Sequence, residues 1–253
     1  MSVIPEDLKN KALETPNIPA AVVCPNEESV LLAVKEGREM ILIDPTLIGN
    51  KNLISQSAKD IGVNIEDYNI LETDNEEQSA LAACQLSNEN KTKIIIKGNL
   101  HTDILMRSYL KKEFNLLKGK RLSHIWHMTT SKEDRPLIIT DGALNVLPNI
   151  KTKMHILRNV IDFSNRIGIV RPKVAVLSAT EEVLDSVPSS IDAKEITKLA
   201  KEDNLNADVF GPLAFDNSIS KKSAAIKGIK NTVAGEADVL LDPSVETGNA
   251  LVK

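Results

Sequence analysis

Short apolar runs alternate along this chain with longer segments in which apolar residues recur at helical spacing. Gly, Pro, Asp or Ser follows many of these runs, as happens where buried β-strands end. The pattern predicts strands at residues 20–23, 40–43, 69–71, 93–97, 122–128, 136–140, 173–177, 207–210 and 237–241. Three dipeptides that contain proline are expected to end strands, namely Asp44-Pro45, Gly211-Pro212 and Asp242-Pro243.

The segments between the strands are predicted to be helices. In residues 27–35 the apolar positions Val30, Leu31 and Val34 share one helical face, and Gly37 is expected to end that helix. Further helices are predicted at residues 53–61, 76–85, 151–166 and 192–202, and another begins at Glu246. Continuous apolar strands separated by helices indicate an α/β fold with parallel sheet covered on both faces.

The polar segment TTSKEDR, residues 129–135, interrupts this alternation in the middle of the chain. It is either a domain boundary or the tip of a hairpin between the strands at 122–128 and 136–140. We therefore predict an N-terminal α/β domain over residues 1–133 and a second α/β domain over residues 134–253.

Composition excludes several classes of function. Aromatic residues make up 3% of the chain and the formal net charge is −4, which argues against base-stacking surfaces and against recruitment of nucleic acid or anionic lipid. No segment reaches the length of a membrane span and the N-terminus does not have the pattern of a signal peptide, so a cytoplasmic protein is expected. Cys24 and Cys84 are predicted to be free, buried thiols.

The loop after the strand at 93–97 has the residue types of an anion site. Gly98 would let the backbone approach a ligand, Thr102 would cap the next helix, and Arg107 could fork onto a phosphate or carboxylate. The alternative from spacing alone is a capped helix that carries a solvated arginine.

Motifs for other chemistries are missing from the sequence. It contains no Walker loop, no G-x-G-x-x-G, no H-E-x-x-H and no C-x-x-C, so neither a metal site nor a conventional dinucleotide site is expected. His124 and His127 would face opposite sides of a strand, and Ser178 lacks the surroundings of a nucleophile. The pairs Asp216-Asn217 and Gly248-Asn249, taken alone, are typical of turns.

Taken in order, seven segments make the chain resemble the phosphate acetyl/butyryl transferase family over nearly its whole length. They are KGNLHTDILMR, KRLSHIW, PLIITDGALNVLP, PKVAVLSATE, GPLAFDNSIS, KGI and VAGEADVLLDPSVETGNAL. RLSH followed by GPLAFDN is more similar to the butyryl branch than to the acetyl branch.

The resemblance implies two three-layer α/β/α domains with an interdomain cleft, similar to the isocitrate and isopropylmalate dehydrogenase scaffold. It implies reversible transfer of a butyryl or acetyl group between coenzyme A and inorganic phosphate, by direct attack of the CoA thiolate on the acyl phosphate. CoA and acyl-CoA, phosphate and acyl phosphate would be the substrates, no cofactor would be needed, and a homodimer or larger homo-oligomer is expected.

The resemblance also assigns candidate residues. Arg107 matches the phosphate-binding arginine, with His101 and Thr102 beside it. Cleft or CoA contacts are expected from Gly98, Asp216, Asn217, Gly248 and Asn249, without individual roles. Arg121 is either a second anion contact or a solvated side chain.

The family pattern continues beyond the GNAL segment with a Ser-Arg pair and an acidic residue that supply substrate contacts and the proposed thiol base. Without these residues, the chain is expected to be slower by roughly 10²–10⁴-fold, the usual contribution of a general base. The alternative function is a CoA- or acyl-phosphate-binding protein without catalysis.

Overall fold

A computed structural model describes residues 5–130 and 133–253 of the protein. The chain divides into two compact units, with the division between Lys118 and Gly119. Each unit is built around its own β-sheet, and each is described by itself below as the first unit (residues 5–118) and the second unit (residues 119–253).

The first unit contains a sheet of four parallel strands in the order β3-β2-β1-β4. Its elements are α1 (Glu6–Leu13), β1 (Ile18–Val23), α2 (Glu28–Glu39), β2 (Ile43–Gly49), α3 (Lys51–Asp60), β3 (Asn69–Glu72), α4 (Glu76–Asn88), β4 (Ile94–Lys97) and α5 (Thr102–Tyr109), with short 3-10 turns at Ile65–Asp67 and Lys112–Phe114.

Successive residues of β1 point into two different cores, which is why this strand is apolar throughout. Ala21 and Val23 pack with residues of α4 and α5, whereas Val22 packs with residues of α2 and α3. Helices therefore cover both faces of the sheet. Cys24 and Cys84 are buried free thiols, as the sequence predicts.

The second unit contains a mixed sheet of five strands in the order β5-β6-β9-β7-β8. Its elements are β5 (Trp126–Thr130), β6 (Glu133–Thr140), α6 (Ile150–Arg166), β7 (Lys173–Leu177), α7 (Pro188–Glu202), β8 (Asp208–Leu213), α8 (Phe215–Ile219), α9 (Lys221–Ile226), β9 (Val239–Leu241) and α10 (Val245–Val252). Strands β5 and β6 are antiparallel, and the other pairings are parallel.

Strand β9 is the centre of this sheet and is buried on both faces. Val239 and Leu241 belong to the core that contains α6 and α7, while Leu240 belongs to the core on the opposite face. The prediction of an α/β protein is therefore confirmed, with one parallel and one mixed sheet.

Several predicted element ends are wrong. Strands β2 and β5 begin at Ile43 and Trp126, three and four residues later than predicted. Helix α2 continues through Gly37 to Glu39. Strand β2 runs through Asp44-Pro45, because Pro45 pairs only with β1 there and the ladder to β3 begins at Thr46. Strand β8 likewise runs through Gly211-Pro212, because β8 is an edge strand and its register with β7 shifts at this place.

The polar segment at 129–135 connects the hairpin strands β5 and β6, with Thr130 opposite Glu133. The predicted boundary after residue 133 thus lies inside a hydrogen-bonded strand pair, and the compact units separate earlier, at Gly119. The part of the segment at residues 131–132 lies outside the described residues. Across residues 5–130 and 133–253, no helix is long and apolar enough to cross a lipid bilayer.

Candidate functional site

The loop after β4 begins at Gly98, which lies against the end of β1. A Cβ atom at this position would lie 2.5 Å from the carbonyl oxygens of both Val23 and Cys24. The Gly98 amide donates to the carbonyl of Val23 at 2.8 Å, and the Asn99 amide donates to that of Cys24 at 2.8 Å. The close backbone approach predicted at Gly98 is therefore made with the protein's own β1 strand.

His101 of this loop joins the N-terminal ends of α4 and α5. The backbone amide of His101 donates to Glu76 Oε2 at 2.9 Å, and the His101 ring nitrogen Nδ1 lies 3.0 Å from the same oxygen. These hydrogen bonds lower the pKa of Glu76 and raise the pKa of His101. Thr102 is the first residue of α5 and does not cap it, because His101 occupies the cap position.

Arg107 lies in the last turn of α5 and is largely exposed within the first unit. Its Nη2 atom lies 2.6 Å from Asp103 Oδ2, one helical turn earlier, and 72% of its side chain is accessible to solvent. An exposed ion pair of this kind contributes little free energy. The guanidinium can therefore exchange Asp103 for an external anion at little cost in free energy.

The second unit has a polar network where β6 ends. Asp141 Oδ1 accepts from the amides of Ala143 and Leu144, each at 3.0 Å, and Oδ2 accepts from Asn145 Nδ2 at 2.6 Å. The other side of the Asn145 amide accepts from Arg121 Nε at 2.9 Å. Arg121 is thus oriented by a buried carboxylate through one asparagine.

Asp242, which follows β9, is the residue that sequence reasoning missed. It is 3% exposed, and neither of its carboxyl oxygens has a hydrogen-bond partner in the described part of the chain. Burial, together with the nearby charge of Asp141, raises the pKa of Asp242 to about 8. The carboxyl is therefore mainly protonated at neutral pH. Its Asp-Pro context indicates a turn, and no local signal shows that it is buried.

Helix α10 packs directly over this carboxyl through Gly248. A Cβ atom on Gly248 would lie 2.6 Å from Asp242 Oδ2 and 2.8 Å from the Cα atom of Gly142. The next residue, Asn249, donates from Nδ2 to the carbonyl of Gly142 at 3.1 Å. Both members of the Gly248-Asn249 pair therefore join α10 to the loop after β6.

The Asp216-Asn217 pair lies in the short helix α8, at the end of β8. Asp216 is exposed, whereas Asn217 is 1% exposed and donates from Nδ2 to the carboxylate of Glu181. Asn217 Oδ1 is buried and has no hydrogen-bond partner among the residues described. The carbonyl of Asn217 also accepts from the amide of Gly235 at 2.8 Å.

A cavity of about 610 Å³ opens where the N-terminal ends of α6, α7 and α10 meet. Its walls are largely apolar, with a few hydroxyl and charged groups, and include Leu147, Pro148, Ile150, Pro188, Pro243 and Ser244. Lys153, in the wall, is 4% exposed and donates to Asp192 Oδ2 at 2.7 Å. No group of three or more His, Cys, Asp or Glu side chains suited to a metal ion occurs in residues 5–130 and 133–253.

Comparison with known proteins gives consistent matches. The family model described as phosphate acetyl/butaryl transferase matches residues 75–253. A phosphate acetyltransferase of Rickettsia felis is 38% identical over 93% of this chain and 68% of its own length. A phosphate butyryltransferase of Clostridium acetobutylicum is 36% identical over 97% of this chain and 81% of its own length.

Solved structures agree with these sequence matches. A branched-chain phosphotransacylase from Enterococcus faecalis superimposes with a TM-score of 0.78 at 27% identity, over 93% of this chain and 83% of that protein. A phosphotransacetylase from Streptococcus pyogenes has a TM-score of 0.81 at 21% identity, over 98% of this chain and 83% of that protein, which supports the fold alone.

Proposed function

The chain belongs to the phosphate acetyl/butyryl transferase family, and from that premise we propose that it transfers a butyryl or acetyl group between coenzyme A and inorganic phosphate. The observation that carries the proposal is identity of 36–38% to proteins named for these activities, over more than nine tenths of the chain. Nothing observed favours the alternative of a binding protein without catalysis.

The proposed chemical step needs neither a metal ion nor an acyl-enzyme. The CoA sulfur, as thiolate, attacks the carbonyl carbon of the acyl phosphate. A carbon–sulfur bond forms, the bond from that carbon to the phosphate oxygen breaks, and phosphate leaves with the electron pair. The thiol proton passes to a base. Such a step requires cations for the phosphate and hydrogen-bond donors for the developing oxyanion.

In this proposal the loop between β4 and α5 binds the phosphate. Arg107 supplies a planar, permanently charged donor that can hold two phosphate oxygens at once. His101 and Thr102 lie six and five residues before Arg107, at the N-terminal end of the same helix, where the helix dipole favours an anion. Gly98 keeps this loop close to β1 and so sets its position.

Arg121 is proposed as a second anion contact, in the second unit. Its hydrogen bond to Asn145 fixes one edge of the guanidinium, which leaves the other edge for a phosphate of the substrate or of CoA. The residues Asp216, Asn217, Gly248 and Asn249 are proposed to line the substrate site. The buried, unpartnered Oδ1 atom of Asn217 supports this, because a ligand N–H would satisfy it.

An acyl chain also needs an apolar surface. The cavity of about 610 Å³ beside Pro243 provides largely apolar walls next to helix N-termini, a combination that suits an acyl group joined to an anion. The interdomain cleft, the dehydrogenase-like scaffold, the homo-oligomer and the cytoplasmic location expected from the sequence stay predictions.

The proposal is tested by the release of CoA from acyl-CoA. The purified chain is incubated with butyryl-CoA or acetyl-CoA, and free thiol is measured with a chromogenic disulfide reagent while inorganic phosphate is varied. We expect thiol release that saturates with phosphate and stops when sulfate replaces it. Thiol release at the same rate without phosphate, or none with either acyl-CoA at any phosphate concentration, would contradict the proposal.

A further inference from the structure

Four asparagines lie at the same edge of the first unit's sheet, one after each of its four parallel strands. Asn26 follows β1, Asn50 follows β2, Asn75 follows β3 and Asn99 follows β4. The carboxyl ends of parallel strands meet at one edge, and ligands of open α/β sheets bind in the crevice outside that edge. All four asparagines line one cavity of about 180 Å³.

Two of these asparagines present hydrogen-bond donors. Asn50 Oδ1 accepts from the amides of Asn52 at 3.0 Å and Leu53 at 3.2 Å, and Asn75 Oδ1 accepts from the amide of Gln78 at 2.9 Å. Since these caps occupy the carbonyl end of each side-chain amide, the NH₂ end remains. The described residues offer no acceptor to either Nδ2 group, so both are available to a ligand.

Asn26 presents an acceptor in the same cavity. Its Oδ1 atom is buried and has no hydrogen-bond partner within the described ranges, while its backbone carbonyl accepts from Ser57 Oγ at 2.9 Å. A buried acceptor without a partner costs about 1–3 kcal/mol. A ligand N–H at this position would remove that cost.

The remaining wall residues limit the chemistry of the ligand. Asp74 and Glu76 are part of the cavity wall, so an anion inside this cavity would lie beside two carboxylates. Leu53 and Ile54 supply an apolar wall. Donors, an acceptor and apolar surface together fit a neutral chain in which amide groups alternate with methylene or methyl groups.

We propose that this cavity binds the pantetheine arm of coenzyme A, the neutral section that carries the amide groups between the diphosphate and the thiol. The assignment rests on the proposed function, which supplies CoA as substrate. An amide N–H of the arm donates to Asn26 Oδ1, and an amide carbonyl accepts from the Nδ2 group of Asn50 or Asn75. The anionic end of CoA lies away from the Asp74 and Glu76 carboxylates.

The test measures both ligand affinity and stability in the variant Asn26→Ala. Reduced pantetheine and CoA are titrated calorimetrically into the unaltered chain, into Asn26→Ala and into the control Asn52→Ala. Asn52 is exposed on α3, and it is not part of the cavity wall. We expect Asn26→Ala to weaken both ligands about tenfold, the loss of roughly one hydrogen bond, and Asn52→Ala to leave both unchanged.

The stability of Asn26→Ala distinguishes a ligand-binding role of Asn26 from a structural role. Because Asn26 Oδ1 is unpartnered, Asn26→Ala should leave the urea midpoint the same or higher, whereas loss of a structural hydrogen bond would lower it. Equal affinity of Asn26→Ala and the unaltered chain, or no binding of pantetheine to the unaltered chain, would overturn the inference. Phosphate-dependent acyl transfer that persists in either case leaves the proposed function intact, whereas its absence from the unaltered chain contradicts that function separately.

Discussion

At the scale of single residues, Asp242 links the stability of the second unit to pH. Its pKa is about 8 in the folded protein, against 3.8 for an unperturbed carboxyl. Between these values the folded state holds a proton that the unfolded state has released, so the free energy of unfolding falls as pH rises. The total effect of a shift of this size is on the order of 5 kcal/mol.

Replacing the carboxyl with an amide removes this ionisation. We expect Asp242→Asn to be more stable than the unaltered chain by an amount that grows by several kcal/mol between pH 5 and pH 8.5, as measured by urea unfolding at both pH values. The control is Asp185→Asn, at an exposed aspartate of the same unit. An unchanged pH dependence in Asp242→Asn would show that this carboxyl does not control it.

Arg107 binds the phosphate in the proposed reaction, and its substitution tests that role. We expect Arg107→Gln to raise the KM for phosphate about tenfold or more in the direction that converts acyl-CoA and phosphate into acyl phosphate and free CoA, because a charge-assisted contact is lost. Stability should hardly change, since the exposed pair with Asp103 contributes little.

Arg166 provides the matched control for that experiment. It is also exposed, and it also pairs with an aspartate one helical turn earlier, Asp162, at 3.3 Å. Arg166→Gln should leave the KM for phosphate unchanged. An equal effect of the two substitutions would mean that general surface charge, and not a specific contact, attracts the anion.

At the scale of elements, α10 depends on a glycine despite the poor helix propensity of that residue. A Cβ atom on Gly248 would meet backbone atoms of Gly142 and Asp141 at 2.8 and 2.9 Å, which cannot move cheaply. We expect Gly248→Ala to lower the free energy of unfolding by about 1–3 kcal/mol, as overpacking does.

Gly37 is the comparison for Gly248, because it is also a helical glycine. Its Cβ atom would meet only the side chain of Ile43, at 3.2 Å, so Gly37→Ala should be close to neutral or slightly stabilising. Urea unfolding of both variants decides the point: equal changes would show that α10 is not tightly packed against the loop after β6.

The elements also show how far local sequence predicts this fold. The continuous apolar strands β1, β4 and β7 are predictable, because burial on both faces leaves no polar alternation. The local sequence pattern predicts strand ends at Pro45 and Pro212, yet each lies inside a strand where a neighbouring ladder is open or shifted. Whether a proline is tolerated inside a strand depends on the order of the strands in the sheet, which the local sequence pattern does not show.

The candidate site, too, is only partly predictable from local sequence. Loops after predicted strands point to Gly98, His101 and Arg107, because ligand-binding residues follow parallel strands. The burial of Asp242 depends on residues far away in sequence, Gly142 and Gly248, which meet only in the folded unit. The four asparagines after β1 to β4 are visible in the sequence, but their common cavity becomes clear only when the strands are ordered.

At the scale of the whole molecule, two α/β units and a family match over residues 75–253 lead to one chemical claim. Thiol release alone does not separate acyl transfer from hydrolysis, because both reactions free CoA from acyl-CoA. The two reactions differ in the second product, which is an acyl phosphate in the first case and a free acid in the second.

Phosphorus NMR of that product is therefore the most direct test. The chain is incubated with butyryl-CoA and inorganic phosphate, and the spectrum is followed while free thiol is measured in the same sample. We predict a butyryl phosphate resonance that grows in equal amount to the released thiol and disappears when excess CoA is added. Thiol release with free butyrate and no acyl phosphate signal would contradict the account.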